Sequence, residues 1–246
     1  MKTNIILFAD PHIGKSTVLK KFLSTAIDPI TGLITLEIKD GDKRVGFRMG
    51  HYYHHTEDEV AFASIIAHIN FDSSVSVSKY KVDLEHLRLE SLQKFRECLR
   101  DETLLYLDEI GEMQLHSQVF KELVEKYLNA PNICIATLSN VYDSDFIKEI
   151  RERDDVILIE VTMENRDTLH EFLATLVSKM KKAKKYALQP ERFKREGNYV
   201  EFVSDSNKKR IINLMSGTCL CEFYYKHKAL GYCSHIDAAQ SVFKYK

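Results

Sequence analysis

Residues 4–17 read NIILFADPHIGKST: an apolar run, a polar turn, and the opening of a helix. A phosphate-binding loop needs G-x-x-x-x-G-K-[ST] between a strand and a helix, because backbone N–H groups there converge on an anion at the positive end of the helix dipole. Gly14, Lys15 and Ser16 supply the second half of that pattern in the right setting. The whole turn, Ala9, Asp10, Pro11, His12, Ile13, Gly14, Lys15, Ser16 and Thr17, is therefore the expected nucleotide-phosphate cradle. Lys15 would neutralise charge on the β/γ phosphates, and the Ser16 hydroxyl would face Mg²⁺. Two positions depart from the pattern. Ala9 stands where a glycine is expected, and His12 where a small residue is common. Alanine resists positive φ, which predicts an altered or strained start to the loop.

A second stretch strengthens the first. LLYLDEIG, residues 104–111, is a buried strand that delivers Asp108 and Glu109 at its carboxyl end. A carboxylate there suits the Mg²⁺ hydration shell, and its neighbour suits a general base for the attacking water. Thr137, closing the apolar run ICIAT, is either a water-orienting hydroxyl or an ordinary strand-end residue. Further apolar runs at 133–137 and 156–161 alternate with helical patterns at 15–25, 84–100, 117–128 and 167–180. Residues 33–38 and 45–49 flank an Asp40-Gly41 turn and read as a hairpin. Continuous apolar strands alternating with helices predict an α/β body built on a mostly parallel sheet covered on both faces.

The stretches ITGLITLEIKDGDKRVGFRM (30–49), VSKYKVDLEHL (77–87), LLYLDEIGEMQLHSQVFKELVEKYLNAP (104–131) and IKEIRERDDVILIEVTMENRDTL (147–169) resemble the thermophile-type P-loop nucleoside-triphosphatase family. That family includes the human cancer-related nucleoside-triphosphatase. The resemblance covers most of residues 4–178 and implies a three-layer, RecA/AAA-like core that hydrolyses several NTPs, ATP and GTP among them, to NDP and phosphate with Mg²⁺. It carries catalytic roles onto Lys15, Ser16, Asp108 and Glu109. The segment 51–64, HYYHHTEDEVAFAS, departs from the family pattern; its three histidines lack metal-ligand spacing and read as an exposed loop or a nucleotide-contacting surface. An arginine is expected to meet the charge on the transferred phosphoryl group. Arg151 and Arg153 are the leading candidates and Arg166 a third, each able instead to pair with Glu149, Asp154 or Asp167.

The chain is 246 residues long with a formal net charge of -1. That total hides an asymmetry. Residues 1–178 hold 20 Lys and Arg against 30 Asp and Glu, a net of -10, whereas residues 179–246 hold 15 against 6, a net of +9. The pattern predicts an NTPase domain over 1–178, a basic helix extension and linker over 179–195, and a small domain over 196–246. No apolar run approaches the length of a membrane span, and no cleavage site follows the first strand, so a cytoplasmic protein is expected.

Three of five cysteines crowd the basic end as Cys219-x-Cys221 and Cys233-x-His235. Three thiolates and an imidazole make a complete tetrahedral set for Zn²⁺, and a module of about 50 residues has too small a core to fold easily without one. The spacing, after two short strands at 198–203 and 210–215, resembles the SWIM zinc finger. That resemblance implies contacts with nucleic acid or protein partners. The lysines at 179, 181, 182, 184, 185, 208, 209, 226 and 228 and Arg210 would meet phosphates, and Tyr224, Tyr225 and Tyr232 would stack on bases. The alternative is that the basic face docks on the acidic part of this chain or of a neighbour. For the whole protein, two other functions stay open: a degenerate nucleotide switch whose finger carries the function, and a small-molecule or nucleotide kinase.

Overall fold

The first strand, β1 (Asn4–Ala9), is apolar along almost its whole length because it is buried on both faces of a sheet. The computed structural model to which it belongs describes residues 1–53 and 60–244. The chain divides into two units, Thr3–His170 and Met1–Lys2 with Glu171–Lys246.

In the larger unit β1 leads through the loop into α1 (Lys15–Thr25), then β2 (Ile30–Asp40), β3 (Lys43–Tyr53), β4 (Val60–His68), β5 (Ser76–Val77) and β6 (Tyr80–Val82). There follow α2 (Leu84–Arg96), β7 (Leu104–Ile110), α3 (Glu112–Leu115), α4 (Gln118–Asn129), β8 (Cys134–Ser139), α5 (Asp145–Glu152) and β9 (Val156–Glu160). Nine strands form one sheet in the order β5-β6-β4-β3-β2-β7-β8-β1-β9. From β2 to β9 the pairings are parallel, as the apolar runs predict. The flank from β2 to β5 is antiparallel. The sequence pattern showed the β2–β3 hairpin, with its turn at Gly41, but not β4, which begins inside the 51–64 segment read as a loop, nor β5 and β6, whose two and three residues are too short to carry a periodicity. His51 corrects the reading of HYYHH as a loop: it is a buried residue of β3, 2.7 Å from Glu90. His54 and His55 lie outside the described residues.

Gly32 fixes how closely β2 approaches β7. It stands opposite Tyr106, and a Cβ at this position would lie 1.8 Å from the Tyr106 carbonyl oxygen. Beneath the sheet, Leu123, Val124, Tyr127 and Leu128 of α4 bury the apolar side that the sequence predicted, against Leu105, Leu107 and Cys134 among others.

Helix α6 (Leu169–Ala187) begins at the end of the larger unit and runs on through the basic KKAKK stretch. The division between units falls at 170/171, earlier in this helix than the 178 read from charge. In the smaller unit β10 (Phe193–Glu196), β11 (Tyr199–Val203), β12 (Lys209–Asn213) and β13 (Thr218–Cys219) form an antiparallel sheet in that order. The short α7 (Glu222–Lys226) and α8 (Ser234–Val242) follow. Strand β10 lies in what the sequence marked as linker, because FKRE has one buried residue and three exposed charges.

Candidate active site

Because β7, β8, β1 and β9 are parallel, the loops that leave their carboxyl ends gather on one edge of the sheet, where open α/β sheets hold ligands. Helix α1 starts there without a side-chain cap. The starts of α2, α4 and α5 are capped by Asp83, Ser117 and Ser144. The first N–H groups of α1 thus stay free for an anion, and Gly14, at φ 114°, makes the turn that aims them. The expectation of strain at Ala9 is corrected. Ala9 is the last residue of β1, opposite Ser139, and the positive φ angles of the loop fall at His12 (67°) and Gly14 instead.

Lys15 and Glu109 face each other across the loop, Nζ to Oε1 3.6 Å, and Lys15 also donates to the Ala9 carbonyl at 2.9 Å. The Ser16 hydroxyl donates to Asp108 Oδ1 at 3.1 Å. Thr137 donates to the same oxygen at 2.5 Å, so its hydroxyl braces Asp108. Asp108 is 2% exposed, and burial pushes its carboxyl above the ordinary range against the pull of the Thr137 and Ser16 hydroxyls. Burial likewise raises Glu109, opposed chiefly by the Lys15 charge. A hydroxyl beside a buried carboxylate is a hard oxygen donor set, which suits Mg²⁺.

The three arginines part company. Arg151 donates to Asn140 Oδ1 at 3.1 Å, and Asn140 donates to Asp10 Oδ1 at 2.9 Å, a chain that ends on the loop. Arg153 is clamped by both oxygens of Asp155, at 2.8 and 2.7 Å, and by the Leu128 carbonyl. Asp155 immediately precedes β9, so Arg153 is fixed at the opposite, amino-terminal edge of the sheet, away from the phosphate loop where the sequence expected it. Arg166 lies against the loop itself, Nη1 donating to the Ile13 carbonyl at 3.4 Å.

Sequence reasoning missed one feature of this edge. A cavity of about 330 Å³ is lined by His12, Glu37, Lys39, Asp42, Arg44, Ser78, Lys79 and Tyr80. Arg44 is held there by Glu37 at 2.6 Å and by the Tyr80 hydroxyl at 3.0 Å. Its residues come from the phosphate loop (His12), the β2–β3 hairpin and the β5–β6 turn, with no motif to link them in sequence.

In the smaller unit, the ligand atoms of Cys219, Cys221, Cys233 and His235 all lie within 4.8 Å of one another. Cys219 Sγ and His235 Nδ1 are 3.7 Å apart, close to the ~3.6 Å that a tetrahedral ion with ordinary Zn–S and Zn–N bonds imposes. Cys221 and Cys233 cap α7 and α8, accepting from the Tyr224 and Ile236 N–H groups. Hydrogen bonds from Cys219 and Cys233 hold the Cys221 thiol far below its ordinary range, and Cys221 in turn pushes Cys219 up to about 12. The cysteines belong to the core of the unit, with Phe202, Ile212 and Ile236. Tyr225 is exposed, but Tyr224 and Tyr232 are buried, which removes two of the three tyrosines expected to stack on bases.

Known proteins resemble the larger unit. A family profile described as NTPase matches residues 4–174. The nucleoside-triphosphatase THEP1 of Thermotoga maritima is 33% identical over 173 residues, covering 70% of this chain and 94% of that protein. The cancer-related nucleoside-triphosphatase homolog of Bos taurus is 29% identical over 203 residues, covering 75% of this chain and all of that protein. The crystal structure of THEP1 from Aquifex aeolicus superposes with a TM-score of 0.60 at 29% identity, covering 71% of this chain and 98% of that one. By these matches the chain belongs to the NTPase family.

Proposed function

We propose that the chain hydrolyses nucleoside triphosphates, ATP and GTP among them, to the diphosphate and phosphate at the edge formed by β1 and β7. The observation that carries this reading is the convergence of Ser16 on Asp108 beside the Lys15–Glu109 pair. The free N–H groups of α1 and Lys15 would bind the β/γ phosphates. Ser16 and Asp108 would hold Mg²⁺, which supplies charge neutralisation on the phosphate oxygens when bound. Glu109, raised by burial, would take a proton from the attacking water, and its contact with Lys15 would keep it ionised until substrate draws the lysine away. Arg151, tied to Asp10 through Asn140, would keep the first turn of the loop in register. The ordinary backbone of Ala9 favours hydrolysis over a degenerate switch. A phosphate-release assay with Mg·ATP and Mg·GTP tests the reading: Lys15→Ala and Glu109→Gln should each abolish release. Turnover untouched by both would refute it.

We further propose that Cys219, Cys221, Cys233 and His235 hold one structural Zn²⁺, and that the unit so stabilised engages nucleic acid or a protein partner. Support comes from the donor set and from the exposed Lys181, Lys182, Lys208 and Lys228. The reduced thiols this requires fit a cytoplasmic setting. Binding to nucleic acid that weakens as salt rises would favour the first partner class; binding absent even at low salt would leave protein as the partner.

A further inference from the structure

Arg166 has no role in the proposed hydrolysis, yet of the three candidate arginines it alone bonds the backbone of the phosphate loop. Its Nη1 donates to the Ile13 carbonyl, and its Cδ lies 3.8 Å from where a Cβ on Gly14 would stand. The turn that presents it is held by several hydrogen bonds. Val161 N–H donates to the Phe8 carbonyl of β1. Asn165 closes the turn, its Oδ1 accepting from Thr162 N–H at 2.9 Å and its Nδ2 donating to the Glu160 carbonyl at 2.8 Å. The Arg166 N–H returns to the Thr162 carbonyl. A single long-range contact to a carbonyl leaves most of the five guanidinium N–H donors for a ligand.

The sheet order decides which part of the ligand that is. Glu109 stands on β7 and Arg166 follows β9, with β8 and β1 between them. Three strand spacings of about 4.8 Å separate the two strands by ~14 Å. Lys15 contacts Glu109, so the phosphate that undergoes attack lies on the β7 side of the loop. A nucleotide running along the loop then presents its nucleoside end to the β9 side, where Arg166 waits. We infer that Arg166 binds the α/β-phosphate end of the nucleotide, not the phosphoryl group being transferred, and so sets affinity for triphosphate and diphosphate alike. The inference rests on the proposed nucleotide site and deepens it. It also removes Arg166 from the candidates for stabilising the transferred phosphoryl group.

An interaction made equally in the ground and transition states changes KM and leaves kcat alone. The full-length chain with Arg166→Ala should therefore show a KM for Mg·ATP raised at least tenfold, ADP binding weakened by a similar factor, and kcat within about twofold of the unaltered protein. Arg166→Lys, which keeps the charge and loses the fork, should recover part of the ADP affinity. Arg166→Gln, with the same Tm as the unaltered chain, excludes misfolding as the cause. A fall in kcat with ADP affinity unchanged would place Arg166 on the transferred phosphate and overturn the inference. So would variants indistinguishable from the unaltered chain in both quantities. Lys15→Ala, measured alongside, separates the two levels: if it too leaves nucleotide binding intact, the site itself has been misassigned.

Discussion

Ser16 and Thr137 donate to one and the same oxygen of Asp108, from α1 at 3.1 Å and from β8 at 2.5 Å. The carboxylate is thereby aimed by residues from two elements before any ion arrives. Thr137→Val keeps the shape of the buried side chain and deletes its hydroxyl. A hydrogen bond to a charged group is worth about 1.5–3 kcal/mol, and without it burial lifts the Asp108 carboxyl further. The variant should require more Mg²⁺ for half-maximal activity while Mg²⁺-saturated turnover recovers. An unchanged Mg²⁺ requirement would mean that Thr137 does not orient Asp108.

Glu109 gives the pH dependence its sign. A general base acts only when ionised, and burial raises this carboxyl above the ordinary glutamate value. Activity should therefore fall as pH drops through a value higher than ~4.3, the usual glutamate figure, and level off above it. Glu109→Gln should lower kcat by about 10²–10⁴ while ADP affinity stays within a few-fold. A variant that retains the acid limb of the profile would assign that limb to another group.

Two glycines separate close packing from backbone conformation. A methyl on Gly32 would collide with the backbone of Tyr106, in the middle of the nine-stranded sheet. Gly41, at φ 57° in the hairpin turn, has nothing within 4 Å of its would-be Cβ. Gly32→Ala should cost about 3 kcal/mol or more, since neither strand can move without disturbing its neighbours. Gly41→Ala should cost only the left-handed backbone penalty, about 1 kcal/mol. Denaturant titration of the two variants reads the difference directly. Equal losses would show that β2 can shift away from β7.

The parallel sheet was legible because β1, β7, β8 and β9 are short, mostly apolar runs, and the loop because Gly14, Lys15 and Ser16 are contiguous; β2, broken by Gly32 and by charges toward its end, was read only as a hairpin arm. Lys15, Ser16, Asp108 and Glu109 meet at the edge where the sequence expected them. The arginines were not legible. Arg151 and Arg153 are two residues apart in sequence, yet one is tied through Asn140 to the loop and the other is clamped at the far edge. Side chains that leave the end of a helix differ in direction by far more than sequence spacing conveys. The cavity around Arg44 was hidden for a different reason: it is assembled from His12 of the phosphate loop, a hairpin and a short turn that share no pattern.

The smaller unit supplies the last prediction. Cys219, Cys221 and Cys233 belong to its core, and the His235 ring lies 5.0 Å from that of Phe202. Removing a metal from this cluster would leave three buried thiols crowded together, with the hydrophobic core around them as the remaining support. Thiolates bind Zn²⁺ and thiols do not, so acidification and chelation should act alike. The purified chain should carry about one zinc per molecule, and a strong chelator should render residues 190–244 sensitive to protease while the 3–170 unit stays intact. Cys233→Ser should reproduce the chelator effect, because it removes the thiolate donor while the serine hydroxyl can still cap α8. A zinc-free chain whose residues 190–244 resist protease as well as before would show that the hydrophobic core holds this unit together by itself.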